Sequence, residues 1–105
     1  MVIPITRDEL GDMMRFQVKV RSEWVAVYSA SPDQTIWPQV TWGWTPFEKR
    51  MDVRRIMPAL DAIADRFLEL KPEGGRFFID AAGAYYKDDV AQLSLPPFVN
   101  FQYRC

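Results

Sequence analysis

Residues 53–67, VRRIMPALDAIADRF, are the stretch of sequence that decides the predicted fold. The apolar side chains recur at intervals of three and four residues, which places them on one face of a helix. These positions are Val53, Ile56, Met57, Leu60, Ile63, Ala64 and Phe67. Upstream, Thr45-Pro46-Phe47-Glu48 predicts a helix start, because it combines a capping box with proline at the first helical position. Pro58 lacks a backbone N–H, so we expect either a kink there or a main segment that begins near Arg54.

Strands are predicted on both sides of this helix, and residues 15–21 and 35–44 show the alternation of apolar and polar residues that is typical of strands. In residues 15–21, for example, Phe16, Val18 and Val20 share one face and leave a basic face on the other side. Strands are predicted at 15–21, 24–30, 35–44, 76–80, 84–87, 90–95 and 98–103. Thr6, followed by acidic residues, predicts the N-cap of a short helix that ends at about Met13.

Strands, one dominant helix and then more strands predict an α+β fold. The specific architecture that we expect is an antiparallel β-sheet with one long amphipathic helix packed on a face. The chain has 105 residues and no linker-like segment, so residues 1–105 are predicted to form a single α+β domain.

The sequence contains no histidine, and its one cysteine is the last residue, Cys105. Histidine is the usual side chain for proton transfer near neutral pH and the commonest neutral metal ligand. Its absence excludes Ser-His and Cys-His nucleophile pairs and histidine-bearing zinc sites. We therefore expect a protein that is not an enzyme and that needs no metal or other cofactor.

Composition and charge also limit the possible partners and location. The net charge is −1, which gives no general attraction to polyanions or anionic membranes. No apolar run approaches the roughly 20 residues that span a bilayer. Residues 1–15 lack the apolar region of a signal peptide. With one cysteine and no membrane segment, a cytoplasmic protein is predicted.

Aromatic residues make up 14% of the chain and provide the first candidates for contact with a partner. Trp37 is on the polar side of its predicted strand, which makes it the better candidate for an exposed anchor. Trp42 and Trp44 share the other side, where they either belong to the core or form an exposed platform. The pair Tyr85 and Tyr86, in a predicted hairpin, is the second candidate.

Charged residues provide candidates for the rim of such a contact. Arg15 and Lys19 belong to the basic face of the first predicted strand, which is either surface decoration or a binding face. Asp61 and Asp65 begin a stripe of carboxylates that continues to Glu69 along the predicted helix. This stripe lies toward the helix C-terminus, where the macrodipole disfavours acids. It is either a solvated face or a surface for a basic partner.

Residues 84–101 contain the pair Tyr85-Tyr86, then the run Leu93-Ser94-Leu95-Pro96-Pro97, and then Phe101. This pattern resembles a stretch of ArdC-type antirestriction proteins, in which a tyrosine pair precedes an aspartate and an I-x-L-P-P run. That family belongs to mobile elements and joins a single-strand DNA-binding part to a zincin-like metallopeptidase part. Here Ala91 replaces the aspartate and no HExxH motif is present, so the resemblance implies no zinc ligand and no peptidase activity.

Together these features favour a small protein-binding module that acts by steric occlusion. An inhibitor, or an immunity or anti-defence factor of a phage or mobile element, suits the size and the aromatic content. The alternative is a single-stranded nucleic-acid-binding protein that uses the basic strand face and an aromatic platform. A self-assembling component is a third possibility. The sequence leaves the partner and the oligomeric state open.

Overall fold

The structure is a computed structural model, and it describes residues 1–20, 23–33, 37–38, 53–86 and 96–104. The elements are β1 (Val2–Ile5), α1 (Arg7–Met13), a 3-10 turn (Met14–Phe16), β2 (Gln17–Val20), β3 (Glu23–Ala30), β4 (Trp37–Pro38), α2 (Val53–Leu70), β5 (Gly75–Ile79), β6 (Gly83–Tyr85) and β7 (Val99–Tyr103). Several predicted features lie outside the described residues: the capping box at 45–48, the strand at 90–95, most of the strand at 35–44, and both Trp42 and Trp44.

The described strands form one sheet in the order β1-β7-β6-β5-β3-β2, and β4 pairs with β3. All neighbours are antiparallel except β1 and β7, which are parallel. The α+β class is thus confirmed, but the prediction of a purely antiparallel sheet is wrong. The chain leaves β1 at one edge and passes through α1 to β2 at the opposite edge. The last strand, β7, then lies beside β1 and runs in the same direction.

β1 is not among the predicted strands, and it contains Pro4. Its hydrogen bonds explain why proline is tolerated there. The Asn100 N–H donates to the Met1 carbonyl at 2.9 Å, and the Arg104 N–H donates to the Ile5 carbonyl at 2.8 Å. Alternate residues of β1 therefore bond to β7, and Pro4 lies at a position that faces away from it. The missing N–H of Pro4 costs this pair of strands no hydrogen bond.

The predicted apolar face of α2 is confirmed as the centre of the core. Five of its residues, Ile56, Leu60, Ile63, Ala64 and Phe67, are each at most 1% exposed. They pack against the side of the sheet that presents Tyr28, Phe77 and Val99, among others. We call this side the helix side. Met13 of α1 belongs to the same cluster, so the helical layer consists of the 18-residue α2 and the shorter α1 rather than one long helix.

The N-terminus of α1 forms as the sequence predicts. The Thr6 hydroxyl accepts a hydrogen bond from the Glu9 N–H at 3.1 Å, and the Glu9 carboxylate accepts one from the Thr6 N–H at 2.7 Å. This reciprocal capping box satisfies two backbone donors of the first turn. These bonds, together with one from the Arg104 guanidinium, hold the pKa of Glu9 below its usual value against the opposing effect of burial.

The opposite side of the sheet has its own buried cluster, made of Val25, Val27, Phe78 and Tyr85. Alternation along β3 explains the two clusters, because successive side chains point to opposite faces. Val25 and Val27 therefore lie on this second side, while Ala26 and Tyr28 lie on the helix side.

Candidate functional site

The most exposed large aromatic side chain among the described residues is Trp24, at 53% exposure. It belongs to the helix-side row of β3, followed by Ala26 and Tyr28, which are both fully buried. The helical layer therefore covers this row as far as Ala26 and leaves Trp24 half open. An exposed indole at the end of a packed row is available for contact without any rearrangement of the core.

Lys19 of β2 lies directly across from Trp24 in the antiparallel register. Residues opposite each other in such a pair share a face, and the Lys19 Nζ lies 5.8 Å from the centre of the indole ring. Gln17, two residues earlier, is opposite Ala26 and is exposed. Arg15, in the middle of the preceding 3-10 turn, is also exposed. We call Arg15, Gln17, Lys19 and Trp24 the Trp24–Lys19 patch.

Arg15 is held by a buried carboxylate. Asp12 of α1 is 6% exposed, and its Oδ1 atom lies 3.6 Å from the Arg15 Nε. The Arg55 Nε donates to the Asp12 Oδ2 at 2.8 Å, which joins the first turn of α2 to α1. The group of two arginines and one aspartate has a formal charge of +1. Half of the Arg15 side chain remains exposed, so part of its positive charge reaches the surface.

Tyr28 connects β3 to α1 through a buried hydrogen bond. Its hydroxyl donates to the Met13 carbonyl at 2.7 Å, at the C-terminus of α1. Burial raises the pKa of Tyr28, and the nearby charge of Asp12 raises it further. The tyrosine therefore remains a neutral hydrogen-bond donor, and the base of the patch is fixed to the core.

Trp37, the first predicted anchor, lies in β4 opposite Ser29 of β3. Its side chain lies outside the part of the chain that the structure describes. Its role as a contact residue stays a prediction.

The predicted tyrosine pair is divided between the two sides of the sheet. Tyr85 is 7% exposed and belongs to the second buried cluster, which leaves little of its side chain for a partner. Burial raises its pKa to about 12, with a further contribution from Asp80, to which its hydroxyl donates a hydrogen bond. Tyr86 is half-buried on the helix side and packs edge-on against Phe67, with ring centres 5.5 Å apart. The Lys71 Nζ lies 5.8 Å from the centre of the Tyr86 ring.

Asp61 and Asp65 are exposed on α2, as the helical spacing predicts. Glu69, the next residue of the stripe, accepts a hydrogen bond from the Arg66 Nη1 at 2.7 Å. A cavity of about 330 Å³ is lined by Met1, Ala62, Asp65, Arg66 and Glu69. Its charged groups have mixed sign and already include an ion pair, so the cavity indicates no particular class of ligand.

The structure thus leaves Arg15 exposed just before β2, Lys19 exposed within β2, and Asp61 and Asp65 exposed on the surface of α2. The residue that sequence reasoning missed is Trp24. It begins the strand predicted at 24–30 and is assigned to neither face there, although one signal indicates its neighbour. Only two residues separate β2 from β3, and that short connection sets Lys19 opposite Trp24.

Comparisons with known proteins do not add to this picture. No family model, curated protein or solved structure matches the chain. Within the described residues, no cluster of three or more acidic or cysteine side chains is arranged to hold a metal ion. The described helices include none that combines the length and the apolar character needed to cross a bilayer.

Proposed function

We propose that this protein is a non-enzymatic protein-binding module that inhibits or protects its partner by steric occlusion. The observation that supports this function most directly is the half-exposed Trp24 beside Lys19. Tryptophan is enriched among the residues that dominate binding energy at protein interfaces, and a few such residues usually account for most of the affinity.

The scaffold beneath the patch favours tight binding. Tyr28 and Asp12 fix α1 and the start of α2, and β3 is paired on both sides. A surface that is ordered before it meets its partner avoids part of the entropy cost of association. A small, rigid module of this kind can block a partner's active or assembly surface without any chemistry of its own.

The resemblance of residues 84–101 to ArdC-type antirestriction proteins supports a more specific role. We propose an anti-defence or immunity factor of a phage or mobile element that acts in the cytoplasm. Within this segment, β6 and β7 pair antiparallel, with Ala84 opposite Val99. In this protein the segment contributes to the sheet, and the patch is formed elsewhere, by β2 and β3.

A matched pair of photo-crosslinking variants tests the proposed function. A benzophenone amino acid replaces Trp24 in one variant and Leu70 in the other, because Leu70 is also a large exposed apolar residue, at 42% exposure. In cells of the natural host, the variant at Trp24 should crosslink to one protein that the variant at Leu70 does not capture. The partner, once purified, should bind a Trp24→Ala variant about 30-fold more weakly or worse, as for an interface hot spot. Equal crosslinking at both positions would contradict the proposal.

Single-stranded nucleic-acid binding remains the second candidate, because one specific observation favours it. Lys19 lies beside an exposed indole, and Arg15, four residues earlier, is a second exposed basic residue; basic residues with an aromatic ring are typical of a surface that binds single strands. Binding to oligothymidine, measured by fluorescence anisotropy, tests this candidate. Affinity that falls steeply with salt and is lost in Trp24→Ala would support it, because phosphate contacts release counterions.

A further inference from the structure

We infer that the partner of the Trp24–Lys19 patch is an acidic protein segment, with carboxylates placed around an apolar side chain. This inference rests on the proposed function and names the chemistry of the partner. It depends on three properties of the patch: its charge, the contact between the lysine and the ring, and the rigidity of the strand pair.

Charge is the first property. Lys19 carries its positive charge beside the Trp24 ring, and Arg15, four residues earlier in the chain, is also exposed. Asp12, the carboxylate paired with Arg15, is buried and is shared with Arg55. Arg15, Lys19 and Arg55 with Asp12 carry a formal charge of +2, although the whole chain has a net charge of −1. A partner with opposite charge gains in association rate and in register from this complementarity.

The position of Lys19 over the indole is the second property, and it separates an acidic protein from a nucleic acid. A base that stacks on tryptophan needs an open ring face. Here the ammonium group lies over the ring at 5.8 Å, so a stacking base would have to displace it. A carboxylate would instead meet the ammonium and the indole N–H, both of which are donors. An apolar side chain could pack on the remaining exposed edge of Trp24.

The third property is that the lysine and the tryptophan are fixed in register by neighbouring strands. Lys19 and Trp24 are a directly opposed pair in the β2–β3 ladder, so their spacing does not depend on a loop. Two donors and an apolar edge at a fixed spacing select for a partner sequence, whereas scattered surface lysines attract any anion.

The test uses the full chain and a defined probe, a short fluorescein-labelled peptide of glutamates around a central leucine. Binding is followed by anisotropy, beside the same peptide with lysines in place of glutamates and beside oligothymidine. The matched variants are Lys19→Gln and Lys71→Gln. Each removes one positive charge, and each lysine lies 5.8 Å from an aromatic ring. General charge attraction to the peptide is therefore equal in the two variants.

We expect the acidic peptide to bind and the basic peptide not to bind. Lys19→Gln should weaken binding about 10-fold, and Trp24→Ala at least as much, whereas Lys71→Gln should change it less than about 2-fold. Thermal melts of each variant establish that the fold is intact. A lack of saturable binding of the acidic peptide, or equal effects of the two lysine variants, would overturn the inference.

Two other outcomes would also overturn it. One is tighter binding of oligothymidine than of the acidic peptide, with the same dependence on Lys19. The other is concentration-dependent self-association that Asp61→Lys abolishes, since the acidic surface would then belong to a second copy of this chain.

Different results would refute the acidic partner and the protein-binding function. If the natural partner is lost in Trp24→Ala but binds Lys19→Gln normally, the protein-binding function stands and the acidic partner is refuted. If the peptide binds through Lys19 but no cellular protein crosslinks at position 24, the patch recognises carboxylates and the proposed function is refuted.

Discussion

Two lysine–aromatic pairs occur in the described part of the molecule, and they differ in how far the aromatic ring is packed against the core. The Lys19 and Lys71 ammonium groups lie at the same 5.8 Å from the rings of Trp24 and Tyr86. Tyr86 packs edge-on against the buried Phe67. Trp24 lies at the end of its row and is half exposed. The same local chemistry thus supports the fold in one place and remains open to a partner in the other.

The difference shows that a cation–π pair has no fixed role. Where the ring is part of a packed aromatic cluster, its contacts stabilise the native state. Where the ring extends beyond the helical layer, much of its apolar surface still faces water and can be buried only by another molecule. Substitutions at the two sites should therefore separate stability from binding, and the following predictions are ordered by the size of the expected effect.

The largest effect is expected from Phe67→Ala, which removes the ring that supports Tyr86. Phe67 is fully buried and also contacts Phe77, with ring centres 5.4 Å apart. Truncation of a buried phenylalanine costs about 3–5 kcal/mol through lost burial and the cavity that remains. Urea denaturation should show this decrease in the free energy of unfolding. Leu70→Ala, at an exposed position of the same helix, is the control and should change it by less than about 0.5 kcal/mol.

Asp12→Ala should have the next largest effect, and it acts at the base of the Trp24–Lys19 patch. The substitution leaves Arg15 and Arg55 without their shared carboxylate and removes the ionic connection between α1 and α2. Both arginines are about half exposed, so water compensates part of the loss. We expect a decrease of about 1–2 kcal/mol in the free energy of unfolding.

A matched variant distinguishes the charge of Asp12 from its shape. Asp12→Asn keeps the size and one acceptor oxygen but removes the negative charge. A loss as large as in Asp12→Ala would show that the ion pairs stabilise this end of the molecule. Unchanged stability in both variants would mean that α1 is held by its apolar contacts and by the hydrogen bond from Tyr28 to Met13.

Much of this arrangement could be predicted from local periodicity. The spacing of residues 53–67 determines a buried face, because it depends only on neighbouring residues. The exposure of Arg15, Gln17 and Lys19 follows in the same way from the alternation of residues 15–21. The capping box at Thr6 is likewise a local signal.

The parts that sequence reasoning missed depend on distant regions of the chain. The parallel pairing of β1 with β7 joins the two ends of the chain, and no local pattern encodes its direction. The exposure of Trp24 depends on where α1 and α2 stop covering the sheet, which is a property of their packing. The burial of Tyr85 has the same origin, since its side of the sheet could not be assigned from the tyrosine pair alone.

The pH dependence of stability tests whether Tyr85, unlike Tyr86 on the helix side, belongs to the second buried cluster. Tyr85 has a pKa of about 12 in the folded protein, whereas an unperturbed tyrosine titrates at about 10. The unfolded chain therefore loses this proton first, and stability falls as the pH rises from about 10 to about 12. Tyr85→Phe should make this fall shallower, as measured by urea midpoints across that range. It should also cost about 1 kcal/mol at neutral pH through the lost hydrogen bond.

Tyr28 contributes to the same alkaline loss of stability, because burial also raises its pKa. Part of the decline should therefore persist in Tyr85→Phe. A decline as steep as in the natural protein would show that the Tyr85 hydroxyl titrates normally and that its side of the sheet is open to solvent.

The smallest effects should come from the two lysines themselves, and they test the opening comparison most directly. A Cβ atom at Gly75 would lie 3.4 Å from the Lys71 Cε, so the Lys71 stem lies close against the start of β5. Lys71→Gln should therefore lower the free energy of unfolding by about 0.5–1 kcal/mol, the value of a partly desolvated cation–π pair. Lys19→Gln should lower it less, because water solvates the ammonium over a half-exposed ring. If urea denaturation instead shows the greater loss for Lys19→Gln, the indole and its lysine belong to the stabilising framework of the β2–β3 pair, and Trp24 is not free for a partner.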